Sequence, residues 1–152
     1  MEIKSMLKNL IHKLSNLKKE GGSKDTFIVT DSGLKYRDIT VGKGYKPKSG
    51  DNVIVNYIGW LKNFNSSNKF DSSCERETPL LFKVGEGQVI DGWDEAILTD
   101  MPVGTVRQVI IPSKLGYGKS GSDPIPPNST LYFNIELLAI CPKGNLCKKN
   151  KN

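Results

Sequence analysis

The segment V-I-D-G-W, Val89 to Trp93, constrains this chain more than any other. An apolar run of strand type gives way there to a short helical pattern, with a glycine beside a tryptophan at the change. Such a pair lets the backbone turn closely and carries a large flat ring to the inside. Beyond it, Trp93, Ala96 and Ile97 recur at the spacing of one helix face, and Asp91 stands where a helix cap is expected.

Around this helix the period is two. Residues 34–39 (L-K-Y-R-D-I) alternate as a strand, as do residues 52–60, with Val53, Val55 and Tyr57 on one face and Ile54 and Ile58 on the other. Residues 80–84 read as a short buried strand and 105–111 as the next. Residues 130–140 form the last, with Leu131, Phe133, Ile135 and Leu137 along one face. Loops are expected at 42–50, rich in Gly, Lys and Pro, and at the polar stretch 62–69. Many strands and one helix imply an α+β fold over residues 25–140: a curved antiparallel β-sheet wrapped over one short central helix. A length of 152 residues with 37% hydrophobic content fits one such domain with a modest core and short appendages.

Those appendages are basic. In residues 1–20, Ile3, Leu7, Leu10, Leu14 and Leu17 recur at alternating spacings of four and three, interleaved with Lys4, Lys8, Lys13 and Lys18. The pattern is an N-terminal amphipathic helix, and Gly21-Gly22-Ser23 completes residues 1–24 as its linker. Three uses compete for the apolar stripe: docking on the domain or self-association, an acidic membrane surface, or targeting. The absence of Arg and the presence of Glu2 and Glu20 count against targeting, and docking or self-association is preferred. Residues 141–152 are read as a basic tail. The formal charge of +6 lies largely in these ends. With no groove-reading or base-stacking motif beside it, nucleic acid is not expected as a partner.

Few residues offer conventional catalysis. Gly116 to Gly121 spells G-Y-G-K-S-G, a match to G-x-G-x-x-G, but Pro124 and Pro126 follow where a phosphate-binding helix would have to open. The single histidine, His12, lies in the N-terminal helix, which leaves no Ser-His-Asp or Cys-His arrangement in the domain. Asp91, Asp94 and Glu95 read as a solvated face and a helix cap rather than a metal site. Cys74, Cys141 and Cys147 read as free thiols of a reducing compartment, with a bridge or shared metal between Cys141 and Cys147 as the alternative. A cytoplasmic location is expected, with an organellar or nuclear one left open. Many placed aromatics without a catalytic base point to a binding pocket, or to chemistry that needs no proton transfer.

The ordered set F-D-S-S (Phe70 to Ser73), V-I-D-G-W, G-Y-G (Gly116 to Gly118) and P-I-P-P-N-S-T-L (Pro124 to Leu131) resembles the FKBP-type peptidyl-prolyl cis-trans isomerases, the macrolide-binding immunophilins. The resemblance covers roughly residues 32–139 and implies the same α+β architecture. It also implies catalysis of X-Pro rotation in an apolar aromatic pocket with no cofactor and no metal. Proline-containing polypeptides would be substrates, and macrolides such as rapamycin would compete. On this resemblance, Trp93 floors the prolyl ring, and Tyr57, Phe82, Val89 and Phe133 are walls, with Phe70 closing another side. Ile90 offers wall surface and a backbone N–H, Tyr117 its hydroxyl, and Asp71 the rim carboxylate. Arg76 orients Asp71 and Tyr57, while Ile125 comes from the overhanging proline-rich loop. The catalytic set is therefore Asp71, Tyr117, Ile90, Trp93 and Phe133. The departures are Leu80 where family members often carry Phe, Gln88 where an acidic residue is frequent, and Ser122 where His is common. The rival reading is a non-catalytic proline- or partner-binding scaffold acting through the N-terminal helix. The presence of Asp71, Trp93 and Tyr117 together argues against it.

Overall fold

In the computed structural model, which describes residues 26–141, the strands form one antiparallel sheet. Its strands are β1 (Ile28–Val29), β2 (Lys35–Thr40), β3 (Asn52–Leu61), β4 (Lys69–Ser72), β5 (Leu80–Lys83), β6 (Val106–Ile111) and β7 (Leu131–Cys141). Their order is β1-β2-β6-β7-β3-β4, and β5 also pairs with β3. Strands β4 and β5 share the same side of β3, β5 against residues 52–55 and β4 against residues 58–60. One helix, α1 (Asp91–Leu98), packs on the sheet, and a 3-10 turn, Ser113–Leu115, precedes the loop of Tyr117. The α+β architecture agrees with the sequence. The amphipathic helix and linker of residues 1–24 lie outside the described residues, as does the basic tail beyond residue 141.

Alternation explains which side of the sheet is the core. Val53, Val55 and Tyr57 of β3 and Leu131, Phe133, Ile135 and Leu137 of β7 are all buried and packed in one cluster with Trp93, Ala96 and Ile97 of α1. A bulge at Leu138 would reverse the phase of β7, since one extra residue flips every later side chain. Its effect is to bring Ile140 rather than Ala139 against Val53 and into the core.

The helix has only eight residues, too short to persist by its own hydrogen bonds. Burial of Gly92, Trp93, Ala96 and Ile97 holds its inner face. Its C-terminal end is held by Arg107 of β6, which is 1% exposed. The guanidinium donates to the carbonyls of Ala96 (2.7 Å), Thr99 (2.6 Å) and Asp100 (3.1 Å) and to both carboxylate oxygens of Asp38 (2.6 and 3.0 Å). It lies 4.2 Å from the centroid of the Tyr36 ring. A cation at this end satisfies orphan carbonyls and opposes the negative pole of the helix.

The N-terminal end departs from the sequence reading. Asp91 is the first helical residue rather than the cap; Ile90 occupies the cap position and no side chain caps it. The carboxylates of Asp94 and Glu95 are engaged rather than merely solvated. Asp94 accepts the backbone N–H groups of Gly85 (2.8 Å) and Gly87 (3.1 Å). Glu95 accepts the hydroxyls of Thr30 (2.7 Å) and Ser32 (2.8 and 2.6 Å). Cysteine usage is corrected too: Cys141 belongs to β7, not to a tail, and is disulfide-bonded, whereas Cys74 is free and buried.

The Arg107 arrangement makes a direct prediction. Arg107→Met leaves Asp38 and the three carbonyls at and just beyond the helix C-terminus without their donor, and breaking a buried pair in this way costs about 3–5 kcal/mol. Urea unfolding of the variant is expected to show that loss, and a change below about 1 kcal/mol would be inconsistent with the clamp.

Candidate functional site

Beside the N-terminal end of α1 the fold leaves a cleft of about 160 Å³ lined by Tyr57, Phe70, Asp71, Leu80, Gln88, Val89, Ile90, Trp93, Tyr117 and Phe133. These ten residues come from β3, β4, β5, α1 and its approach, the loop after the 3-10 turn, and β7. All five residues expected to be catalytic are among them. Three others lie elsewhere. Phe82 and Ile125 are buried in the main core cluster, Phe82 with its ring 5.9 Å from that of Trp93. Arg76 stands at the rim.

Trp93 is 3% exposed and is held by ring edges. Tyr57 meets it at 4.8 Å and 78°, Phe133 at 5.2 Å and 88°, and Phe70 in turn meets Phe133 at 5.5 Å and 88°. Edge-to-face contacts of this kind set ring orientation as well as burying area. Two glycines make the arrangement possible. A Cβ on Gly92 would lie 2.6 Å from Cγ2 of Ile111, so only glycine lets the first turn of α1 approach β6 this closely. A Cβ on Gly59 would lie 2.6 Å from the Phe133 ring and 2.7 Å from the Phe70 ring. The indole N–H of Trp93 is buried without a hydrogen-bond partner, so the floor is apolar in contact but carries one unused donor.

The polar rim is concentrated on one side. The Tyr57 hydroxyl donates to Oδ2 of Asp71 at 2.6 Å, and Arg76 donates to Oδ1 of Asp71 and to the Tyr57 oxygen. The Arg76 guanidinium also lies 5.5 Å from the Tyr57 ring centroid. Asp71 further accepts the N–H of Ser72 at 2.9 Å. The turn that carries Arg76 is tied to β3 through Ser73, whose hydroxyl accepts the Tyr57 N–H at 2.9 Å and whose own N–H donates to the Tyr57 carbonyl at 3.1 Å. Burial, and then donation to Asp71, push the Tyr57 phenol up to about 12 against the opposing effect of Arg76. Tyr117 is half exposed across the cleft, and burial followed by the charge of Asp71 raises its phenol as well.

Sequence reasoning missed how the far wall is fixed. Gln88, Val89 and Ile90 sit on a loop whose glycines donate to Asp94, and the Gln88 side chain accepts the Lys83 N–H at 2.8 Å. The signal was present as V-G-E-G-Q ahead of a carboxylate in the first helical turn, two glycine N–H groups facing one acceptor. The Tyr117 loop is likewise tied down: Gly118 donates to Ser113 and accepts from Asn128. Among the described residues no helix follows Gly121; the chain turns and runs into β7, unlike a phosphate-binding loop.

Residues 43–138 match the family model described as FKBP-type peptidyl-prolyl cis-trans isomerase. The chain is 50% identical over 111 residues to FK506-binding protein 2 of Dictyostelium discoideum, covering 71% of this chain and 77% of that one. It is 47% identical over 113 residues to FK506-binding protein 4 of the same organism, covering 74% of this chain but only 29% of the longer relative. The crystal structure of AtFKBP13 superposes with a TM-score of 0.70 at 39% identity, covering 74% of this chain and 96% of that one.

The raised Tyr57 phenol predicts a pH dependence. Below its ordinary value of 10.0 the group is protonated whether the chain is folded or not, and its contribution to stability is complete. Between there and about 12 only the unfolded chain loses the proton, so stability falls as pH rises through that window. Ultraviolet titration of the five tyrosines should show Tyr57 titrating late, beside the also raised Tyr117, and shifted down by Asp71→Asn. A Tyr57 midpoint level with the exposed tyrosines would contradict the network.

Proposed function

The chain belongs to the FKBP-type peptidyl-prolyl cis-trans isomerase family, and from that membership we propose that its cleft accelerates rotation of X-Pro bonds in exposed or unfolded polypeptide segments, assisting their folding. The observation that carries the proposal is the Trp93 floor, fixed by the edges of Tyr57 and Phe133, with Asp71 and Tyr117 as polar groups at its rim.

Rotation about a peptide bond meets a barrier of about 18–20 kcal/mol because the planar amide is conjugated. On twisting, the amide loses conjugation and much of its dipole. An apolar pocket therefore disfavours the planar form relative to the twisted one, and only such differential binding speeds the step. The prolyl ring rests on Trp93 between Tyr57, Phe70 and Phe133. Tyr117 donates its hydroxyl to a neighbouring carbonyl and Ile90 its backbone N–H. Asp71, held by Arg76 and Tyr57, faces the twisting carbonyl region. No proton changes hands, which suits a cleft without a basic side chain poised for transfer. Leu80 and Ile90 beside Trp93 form the surface that reads the residue before proline, and they favour an apolar one. Macrolides such as FK506 occupy the same cleft and exclude the substrate.

A protease-coupled assay on short X-Pro peptides tests the reading. Asp71→Ala removes a charged hydrogen-bond acceptor, an interaction of about 1.5–3 kcal/mol, and should lower kcat/KM by roughly 10- to 100-fold. Tyr117→Phe removes one neutral hydrogen bond, for a loss of roughly 2- to 10-fold. FK506 should abolish the wild-type rate. A folded protein with no acceleration over the uncatalysed reaction would overturn the proposal.

A further inference from the structure

A second concentration of side chains lies on the outer face of the sheet, away from the cleft. Since Leu131, Phe133, Ile135 and Leu137 of β7 point to the core, Tyr132, Asn134 and Glu136 face outward. Register sets Asn134 between Ile58 of β3 and Gln108 of β6, and Tyr132 beside Trp60. An outer face open to water leaves its polar side chains exposed and hydrated. Here Gln108 and Asn134 are 3% and 0% exposed and Trp60 is 5% exposed, while Asn56, at 2%, is covered by Ser73, whose hydroxyl donates to it at 3.1 Å. Neither polar atom of the Asn134 side chain has a hydrogen-bond partner. A buried amide in that state marks a surface over which a layer of side chains has closed.

The path of the chain identifies the layer. Phe27 stacks on Phe64 at 6.1 Å and lies 4.5 Å from the Arg37 guanidinium, which donates to Gln108 at 2.7 Å. Phe64 in turn meets Trp60 at 6.3 Å and Tyr132 at 5.2 Å. The described chain thus enters on the outer face, and the 25 residues before it start from there. We propose that residues 1–20 cover this face of their own domain, laying the Ile3, Leu7, Leu10, Leu14 and Leu17 stripe across β2, β6, β7 and β3.

Dimensions and charge agree. At about 1.5 Å per helical residue the stripe is roughly 21 Å long, against roughly 14 Å across four strands spaced about 4.8 Å apart. Cys74 already packs on Val106 with the partly buried Ile39 and Ile58, so the stripe would border this small apolar cluster rather than fill it. Lysines flank the stripe, and Glu136 lies on the face beneath. Residues 142–152 are a poor alternative: Leu146 is their one large aliphatic residue, and they leave β7 at the end away from Trp60 and Tyr132. The proposal is independent of the isomerase reading.

The full chain has two tryptophans, so Trp93→Phe leaves Trp60 as the sole reporter of the outer face. Acrylamide quenching of that variant should be weak and independent of protein concentration, with the chain monomeric by sedimentation. Adding Leu7→Ser and Leu14→Ser should raise the quenching constant at least threefold while the strand signal in circular dichroism is kept. Should that chain not fold, Leu10→Ala serves in its place, with a smaller rise expected. Unchanged quenching in a folded variant overturns the proposal. So does shielding that vanishes on dilution together with a dimer, which would assign the cover to a second copy.

Discussion

The pocket depends on how an eight-residue helix is held in place, and Arg107 is the interaction that holds it. A helix of that length has too few internal bonds to be stable in isolation. Its C-terminal carbonyls are gathered by one guanidinium that is itself neutralised by Asp38 and stacked near Tyr36. At the other end, the absence of a side chain at Gly92 lets the backbone close on Ile111. Two constraints at opposite ends fix the rotation and depth of the helix. Trp93, one residue past Gly92, is thereby set both as a core residue and as the floor of the cleft.

From that floor the chemistry follows with few additional parts. Aromatic edges lock the indole plane, and the polar groups are confined to one rim. Asp71 is oriented from two sides by Tyr57 and Arg76, so its charge is presented in a defined direction. The opposite wall is rigid for a different reason: Asp94 ties two glycine N–H groups of the loop that bears Gln88, Val89 and Ile90. Helix and wall are thereby tied to each other. A pocket that acts by preferring a twisted amide over a planar one needs such rigidity, since a yielding wall would adapt to both.

Much of this was legible in the sequence, because the period-two strands and the one helical stretch leave little choice of architecture. Ten of the thirteen expected pocket residues line the cleft, since G-W and the alternation of β3 and β7 determine which rings face inward. Phe82 and Ile125, expected at the pocket, are not among the residues that line the cleft. Both are apolar and close to the site in sequence, but Phe82 faces Trp93 from within the core, and the paired N–H and carbonyl groups of Ser122 and Ile125 turn Ile125 inward. Asp91 looked like a cap because Asp is a good cap, yet the helix starts one residue earlier than the rule expects. Arg107 gave no signal at all: an arginine in a strand is ordinarily read as exposed, and only the tertiary fold puts three carbonyls around it.

The central claim is that an apolar, pre-set pocket speeds rotation without moving a proton. Magnetic-resonance exchange on an X-Pro peptide with a small amount of the protein measures the catalysed rate directly, across pH 6 to 9 and in light and heavy water. A rate that is flat with pH over this range and nearly equal in the two solvents is the predicted result. A bell-shaped pH profile, or a heavy-water rate reduced by twofold or more, would mean that a titrating group carries the reaction and would contradict the account.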